Sequence, residues 1–164
     1  MTKSLILETP DIGLSDKNRD GVVDTLRVVL ADAHVLYIKL RKYHWNVTGP
    51  QFFSLHELFE QQYTALASSI DEIAERIVQY GAFAPGTLEE FKATARLEET
   101  PGKVPEARTM VEDIVNDHEA AVRHLREDIE TVGKKYGDVG AEDFLIALLQ
   151  AHQQQAWMAR IPEW

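Results

Sequence analysis

The sequence predicts an all-α protein, a four-helix bundle with one long crossover, and three observations carry that prediction. Four long segments repeat apolar residues at the spacing of an amphipathic helix. No segment alternates polar and apolar residues in the manner of a half-buried strand. Two of the three connections are short and the middle one is long, which decides how the helices run.

The first helix is expected over residues 16–45, with Val22, Val23, Leu26, Val29, Leu30, Ala33, Tyr37 and Leu40 on its apolar face. The second, 53–80, carries Leu55, Leu58, Phe59, Leu66, Ile70, Ile73, Ala74 and Ile77. Ser54 and Glu57 have the spacing of a reciprocal capping box at its start. The third, 105–132, places Pro105 in its first turn and carries Met110, Val111, Ile114, Val115, Val122, Leu125 and Ile129. The fourth, 139–160, has Phe144, Leu145, Leu148, Leu149, Ala156 and Trp157, with Ile161 just beyond. The joins at 46–52 and 133–138 are short and so link antiparallel neighbours. Residues 81–103 are too many for a tight hairpin, and a second capping box, Thr87 with Glu90, starts a short helix there through Phe91. Such a crossover lets the chain return along the bundle before the third helix begins. One long crossover is the ferritin-like pattern. Residues 1–15 read as a tail, and residues 1–164 as one ferritin-like domain, a length that suits a single core.

Composition narrows the functions. With 27 Asp and Glu against 17 Lys and Arg, the formal net charge is −10. That balance weighs against general affinity for nucleic acid or anionic membranes, which need clustered positive charge. It suits a protein that attracts cations, and it equally suits plain solubility. No apolar run approaches the ~18–20 residues that span a bilayer. The opening Met1–Glu8 lacks the apolar core and cleavage site of a secretory signal, so the cytoplasm is the expected location. There is no cysteine, so a metal here must be held by histidine and carboxylates.

Six histidines are available: His34, His44, His56, His118, His124 and His152. Four of them stand alone in helices and read as structural or solvated. His44 and His56 differ, because they flank the first join and acidic residues follow them. Glu60 is one helical turn beyond His56, and Asp71 and Glu75 share a face further along the second helix. Imidazoles with several carboxylates make a nitrogen and oxygen donor set suited to iron rather than to calcium or copper. Ordinary di-iron bundles draw a Glu-x-x-His motif from each of two helices, and no such motif occurs in this chain. His56 and Asp71 are fifteen residues apart, about 22 Å along a helix axis but within about 60° of one direction. One metal cannot be reached by both within one chain. Two copies of the second helix packed antiparallel about a two-fold would bring His56 of one to Asp71 and Glu75 of the other. The alternative is that the two acids only form surface ion pairs, with Arg76 or with a partner's basic groups.

The run His44-Trp45-Asn46-Val47-Thr48-Gly49-Pro50-Gln51-Phe52-Phe53-Ser54-Leu55-His56-Glu57-Leu58-Phe59-Glu60 resembles the signature of the Dps family. Ile70-Asp71-Glu72-Ile73-Ala74-Glu75-Arg76 resembles that family's second signature, with a departure just after it at Tyr80, a position usually aliphatic. Weaker likeness covers Asp11–Lys17 and Ala156–Met158. The resemblance implies a homo-dodecamer with tetrahedral symmetry and a ferroxidase centre at the dimer two-fold. His44 and His56 would come from one subunit, Asp71 and Glu75 from its partner, and Glu60 would reach the second metal. Trp45 would absorb stray oxidising equivalents, or else simply pack at the interface. Such a protein oxidises Fe(II), with hydrogen peroxide or dioxygen as oxidant, stores the ferric product and protects against oxidative damage. Zinc or manganese suits the same donors. Asp138, Glu142 and Asp143, near the start of the fourth helix, match a region that lines a three-fold pore in related proteins, although helix capping explains Asp138 equally well. The rival function is a DNA-binding, nucleoid-condensing scaffold. Lys3, Lys17 and Arg19 stand against Glu8, Asp11, Asp16 and Asp20 in the first twenty residues, and no basic extension follows the fourth helix before Trp164, which argues against direct DNA binding.

Overall fold

A computed structural model describes residues 7–160. The first six residues of the Met1–Glu8 segment, with Lys3 among them, and Ile161 to Trp164 lie outside the described residues. The elements run α1 (Asp16–Asn46), α2 (Phe52–Gln79), α3 (Leu88–Thr94), α4 (Ala107–Glu130), a π-helical turn (Thr131–Lys135) and α5 (Val139–Arg160). There is no strand among the described residues. The fold is the predicted all-α bundle. None of its described helices is long and apolar enough to cross a membrane.

Two hairpins, α1 with α2 and α4 with α5, close on a shared core. Leu26, Leu30, Leu36, Leu40 and Tyr43 from α1 meet Phe59, Ile73 and Ile77 from α2, Met110, Ile114 and Leu125 from α4, and Leu145 from α5, all fully buried. Each large aliphatic chain taken out of water contributes about 1.5–3 kcal/mol, so the helix faces rather than helix propensity hold the bundle. Trp157, placed with the apolar positions of the fourth helix by its spacing, is instead 59% exposed.

Three boundaries differ from the sequence reading. At α2, the Gly49 turn (φ 107°) starts the helix at Phe52. Ser54 therefore lies already inside the first turn, where its hydroxyl donates back to the Gln51 carbonyl at 3.1 Å, and no capping box with Glu57 forms. At α4, Glu106 is extended (ψ 161°) and serves as N-cap, so Pro105 precedes the helix rather than occupying its first turn. Beyond Glu130 the chain keeps winding through the π turn, which shortens the final join. Glu142 of α5 packs against Gly133 there, and a side chain at that position would collide with its carboxylate.

The crossover is fastened in two places. The Thr87–Glu90 capping box forms as expected, Glu90 N–H donating to Thr87 Oγ1 at 3.2 Å and Thr87 N–H to Glu90 Oε2 at 2.9 Å. Further on, Arg96 reaches into the bundle. Its Nε donates to Asp32 of α1 at 2.8 Å, and its two terminal nitrogens donate to Asp128 of α4 at 3.1 and 2.8 Å. The other Asp32 oxygen accepts from the backbone amides of Arg96 and Leu97 at 2.6 and 3.2 Å. One guanidinium thus ties crossover, α1 and α4 together.

Candidate metal centre

The turn between α1 and α2 reverses the chain so that the last turn of one helix faces the start of the next. This brings His44 and His56 ring against ring, with centroids 3.7 Å apart and planes within 19°. Each ring then bonds the other residue's backbone. His44 Nδ1 lies 2.8 Å from the His56 carbonyl, and His56 Nδ1 lies 2.7 Å from the His44 carbonyl. A carbonyl oxygen only accepts, so the hydrogen is assigned to Nδ1 on both rings. In the neutral rings both Nε2 atoms therefore carry free lone pairs. The His44 carbonyl sits in the last turn of α1, where such groups lack a helical partner, so the bond also satisfies an otherwise orphaned acceptor.

Glu60 completes the local cluster. Ligand atoms of His44, His56 and Glu60 all lie within 4.8 Å of one another. Around them, Tyr63 meets the His44 ring edge-on at 5.3 Å and Phe52 stacks on His56 at 5.1 Å. His44 is buried, His56 half-buried and Glu60 exposed, so the cluster opens to the surface on its carboxylate side. Orienting a ligand ring by a bond from its other nitrogen fixes its tautomer and raises its basicity. No residue-type pattern in the sequence signals a carbonyl acceptor, or the ring contacts that Tyr63 and Phe52 make here.

Asp71 and Glu75 are not in that cluster. Both are exposed further along α2, and neither makes an ion pair among the described residues. Arg76, the neighbour that could have neutralised them, points elsewhere: it donates to Gln79 at 3.3 Å and lies over the rings of Tyr80 and Phe144. Trp45 is 62% exposed, with the Arg41 guanidinium 4.9 Å from its ring centre.

The three acids near α5 separate. Asp138 is buried, accepts from the amides of Gly140 and Ala141 at 3.0 and 3.1 Å, and accepts from the Tyr80 hydroxyl with its other oxygen. Burial and that carboxylate push the Tyr80 phenol up to about 12, which keeps it a donor. Its carboxylate is thus committed to capping, which counts against a pore role for Asp138 and gives the unusual Tyr80 a structural use. Glu142 is half-buried and Asp143 exposed.

A ferritin-like domain model matches residues 23–161. A low temperature-induced protein of Nostoc sp. is 45% identical over 92% of this chain and 84% of its own length. DNA protection during starvation protein 2 of Bacillus anthracis is 38% identical over 85% of this chain and 94% of its own. The chain belongs to the Dps family, within the ferritin-like fold. Among solved structures, the Dps protein of Vibrio cholerae O1, a member of a broad superfamily of ferritin-like diiron-carboxylate proteins, superposes with a TM-score of 0.84 at 28% identity, over 92% of this chain and 94% of that one. Dps membership supports iron storage and protection as the coarse function, and iron as the metal against which the His44, His56 and Glu60 cluster is read.

Proposed function

We propose that this chain is a ferroxidase and iron-storing miniferritin whose di-iron site is shared between two subunits. The observation that carries the reading is the reciprocal bonding of His44 and His56, which leaves an Nε2 lone pair free on each of two rings that cluster with Glu60 at a surface. Three donors do not hold two irons. The missing carboxylates are Asp71 and Glu75 of the partner subunit, delivered when two α2 helices pack antiparallel. An exposed stripe supports that pairing: Glu60, Thr64, Ser68, Asp71 and Glu75 recur at helical spacing, with small residues at its middle. Twelve such subunits would enclose a cavity in which ferric iron mineralises, protecting the cell from oxidative damage, with the cytoplasm as the setting.

Iron is the substrate. Two ferrous ions give one electron each to one hydrogen peroxide; its O–O bond breaks and two protons complete two waters. Delivering the electrons as a pair avoids the hydroxyl radical that single-electron reduction releases. His44 and His56 contribute oriented neutral donors, and Glu60 with Asp71 and Glu75 of the partner subunit contributes negative charge that favours the ferric product. Trp45, exposed beside the site, is placed to take up stray oxidising equivalents or to pack against the partner. Zinc or manganese would compete for the same donors. Metal affinity falls with falling pH, because protons claim the same lone pairs.

The test is anaerobic loading with Fe(II), addition of peroxide, and measurement of ferric absorbance and stoichiometry. Two irons oxidised rapidly per peroxide, with little trapped hydroxyl radical, supports the reading; oxidation no faster than in protein-free buffer overturns it. Glu142 and Asp143 carry the pore proposal, with Asp138 left as a cap. Glu142→Gln with Asp143→Asn is expected to slow iron uptake several-fold at low Fe(II) and leave oxidation at saturating Fe(II) unchanged, as loss of an attracting field would. The −10 charge continues to weigh against direct DNA binding.

A further inference from the structure

A second pair of histidines lies in the middle of the bundle, away from the candidate metal centre. His118 of α4 is 2% exposed, and its Nδ1 lies 2.9 Å from Nδ1 of His152 on α5. Its Nε2 lies 3.2 Å from Gln62 Oε1 on α2. Gln62 is buried too, and its amide nitrogen donates to the Gln155 carbonyl of α5 at 3.1 Å. That last bond fixes the direction of all the others. With the Gln62 nitrogen committed to a carbonyl, its oxygen faces His118, so His118 Nε2 is the donor. His118 Nδ1 must then be a lone pair, and it accepts the Nδ1 hydrogen of His152. One arrangement of protons satisfies the whole string.

A metal ion bridging the rings fits less well. Two imidazoles on one tetrahedral zinc, with bonds of about 2.0–2.1 Å, hold their nitrogens roughly 3.3 Å apart. Here the nitrogens are at hydrogen-bond distance, and the ring centres are 5.1 Å apart, as expected of rings meeting nitrogen to nitrogen on a common axis. No third histidine or acid joins them in a metal-sized cluster among the described residues.

We infer that His118 and His152 form a proton-operated tie: when neutral it fastens α5 to α4 and α2, and when both rings are protonated it releases α5. The first added proton goes to His152 Nε2 and leaves the tie standing. The second is forced onto His118 Nδ1, which sets N–H against N–H and breaks it. Burial holds both rings below the ordinary imidazole value, His152 at about 4 with only Asp32 pulling the other way, and His118 well below that ordinary value with the His152 ring beside it adding to the effect of burial. The titratable and charged groups on this side are Asp32 of α1, Arg96 of the crossover, and His124 and Asp128 of α4. Gln62 and Ser69 of α2 and Gln155 of α5 face the pair uncharged. Since the unfolded rings titrate near 6.5, this contribution to stability is complete above that pH. It is lost as pH falls toward 4, where the unfolded chain takes up protons that the folded one refuses.

The inference is independent of the ferroxidase reading. It is tested by deuterium exchange at histidine C2 and at backbone amides, read by mass spectrometry on the assembled protein from neutral to about pH 3, past the first protonation. Both rings should titrate at least tenfold further into acid than in the urea-unfolded chain. Amides of α5 around Leu145 to Ala156 should open at the acid end before those of α1. In His118→Leu with His152→Leu the acid-specific opening of α5 should disappear. Rings that titrate as in the unfolded chain, or an α5 that opens no earlier than α1, overturn the inference using the wild-type protein alone.

Discussion

Asp71→Ala combined with Glu75→Ala is expected to reduce peroxide-driven iron oxidation to the rate of protein-free buffer while the helical content stays unchanged. Both side chains are exposed on the single subunit and make no ion pair among the described residues, so their loss removes no ion pair seen there. Surface changes of that kind usually alter stability by less than about 0.5 kcal/mol. The catalytic loss is large because His44, His56 and Glu60 alone leave the second iron without ligands. His56→Ala should be as damaging, for it removes a ring donor directly and frees the His44 carbonyl.

Mixing these two variants separates a shared site from a local one. In a heterodimer, one site loses both its histidine and its carboxylates, and the other keeps a complete wild-type set. Co-assembly at equal amounts makes half the dimers mixed, so about a quarter of all sites should regain activity. Recovery of stopped-flow oxidation to that level supports donation by the partner. No recovery, despite mixed assemblies seen by mass spectrometry, shows that each chain serves its own site and removes the antiparallel α2 pairing.

Sequence and structure agree where side-chain pattern determines geometry. The periodic faces place the helices, and His56 with Glu60 is legible because four residues are one turn. The separation of His56 from Asp71 is legible for the same reason, since rise per residue is a property of the helix and not of its neighbours. What was illegible depends on backbone. The Gly49 turn moves the start of α2 and disables the Ser54 box, although the same motif at Thr87, with no competing turn, forms as written. The reciprocal carbonyl bonds that fix both imidazole tautomers leave no mark in residue types. Nor does the directional string from Gln155 through Gln62 to His118 and His152, because each member taken singly reads as an ordinary helical residue. Asp138 is instructive: an acid at a helix start is either a cap or a lining charge, and only its bonds to two amides and Tyr80 decide.

Arg96→Met is expected to be the most destabilising single change away from the metal centre. Methionine keeps the apolar stem but leaves Asp32, which is 5% exposed, and Asp128 facing each other without the guanidinium, with only the His124 ring nearby, its Nδ1 3.9 Å from Asp32. Breaking a buried pair by removing one partner costs about 3–5 kcal/mol, since the remaining charge is stranded. A chain of this size should lose roughly 6–20 °C in thermal midpoint. The pH dependence identifies the cause. Burial already raises the Asp128 carboxyl, against the pull of Arg96, so without Arg96 it takes up a proton at higher pH. The deficit should be greatest at neutral pH, with both acids ionised, and shrink toward about pH 5 as one is neutralised. Asp128→Asn in the same background should therefore recover much of the loss, whereas Asp32→Asn should recover less. Asp32 also accepts the Arg96 and Leu97 amides that seat the crossover, and an amide oxygen replaces only part of that. If Arg96→Met unfolds at the wild-type midpoint across that range, the guanidinium is not what holds the crossover, and the capping box and the His34–Phe91 stack (ring centres 3.7 Å apart) must suffice.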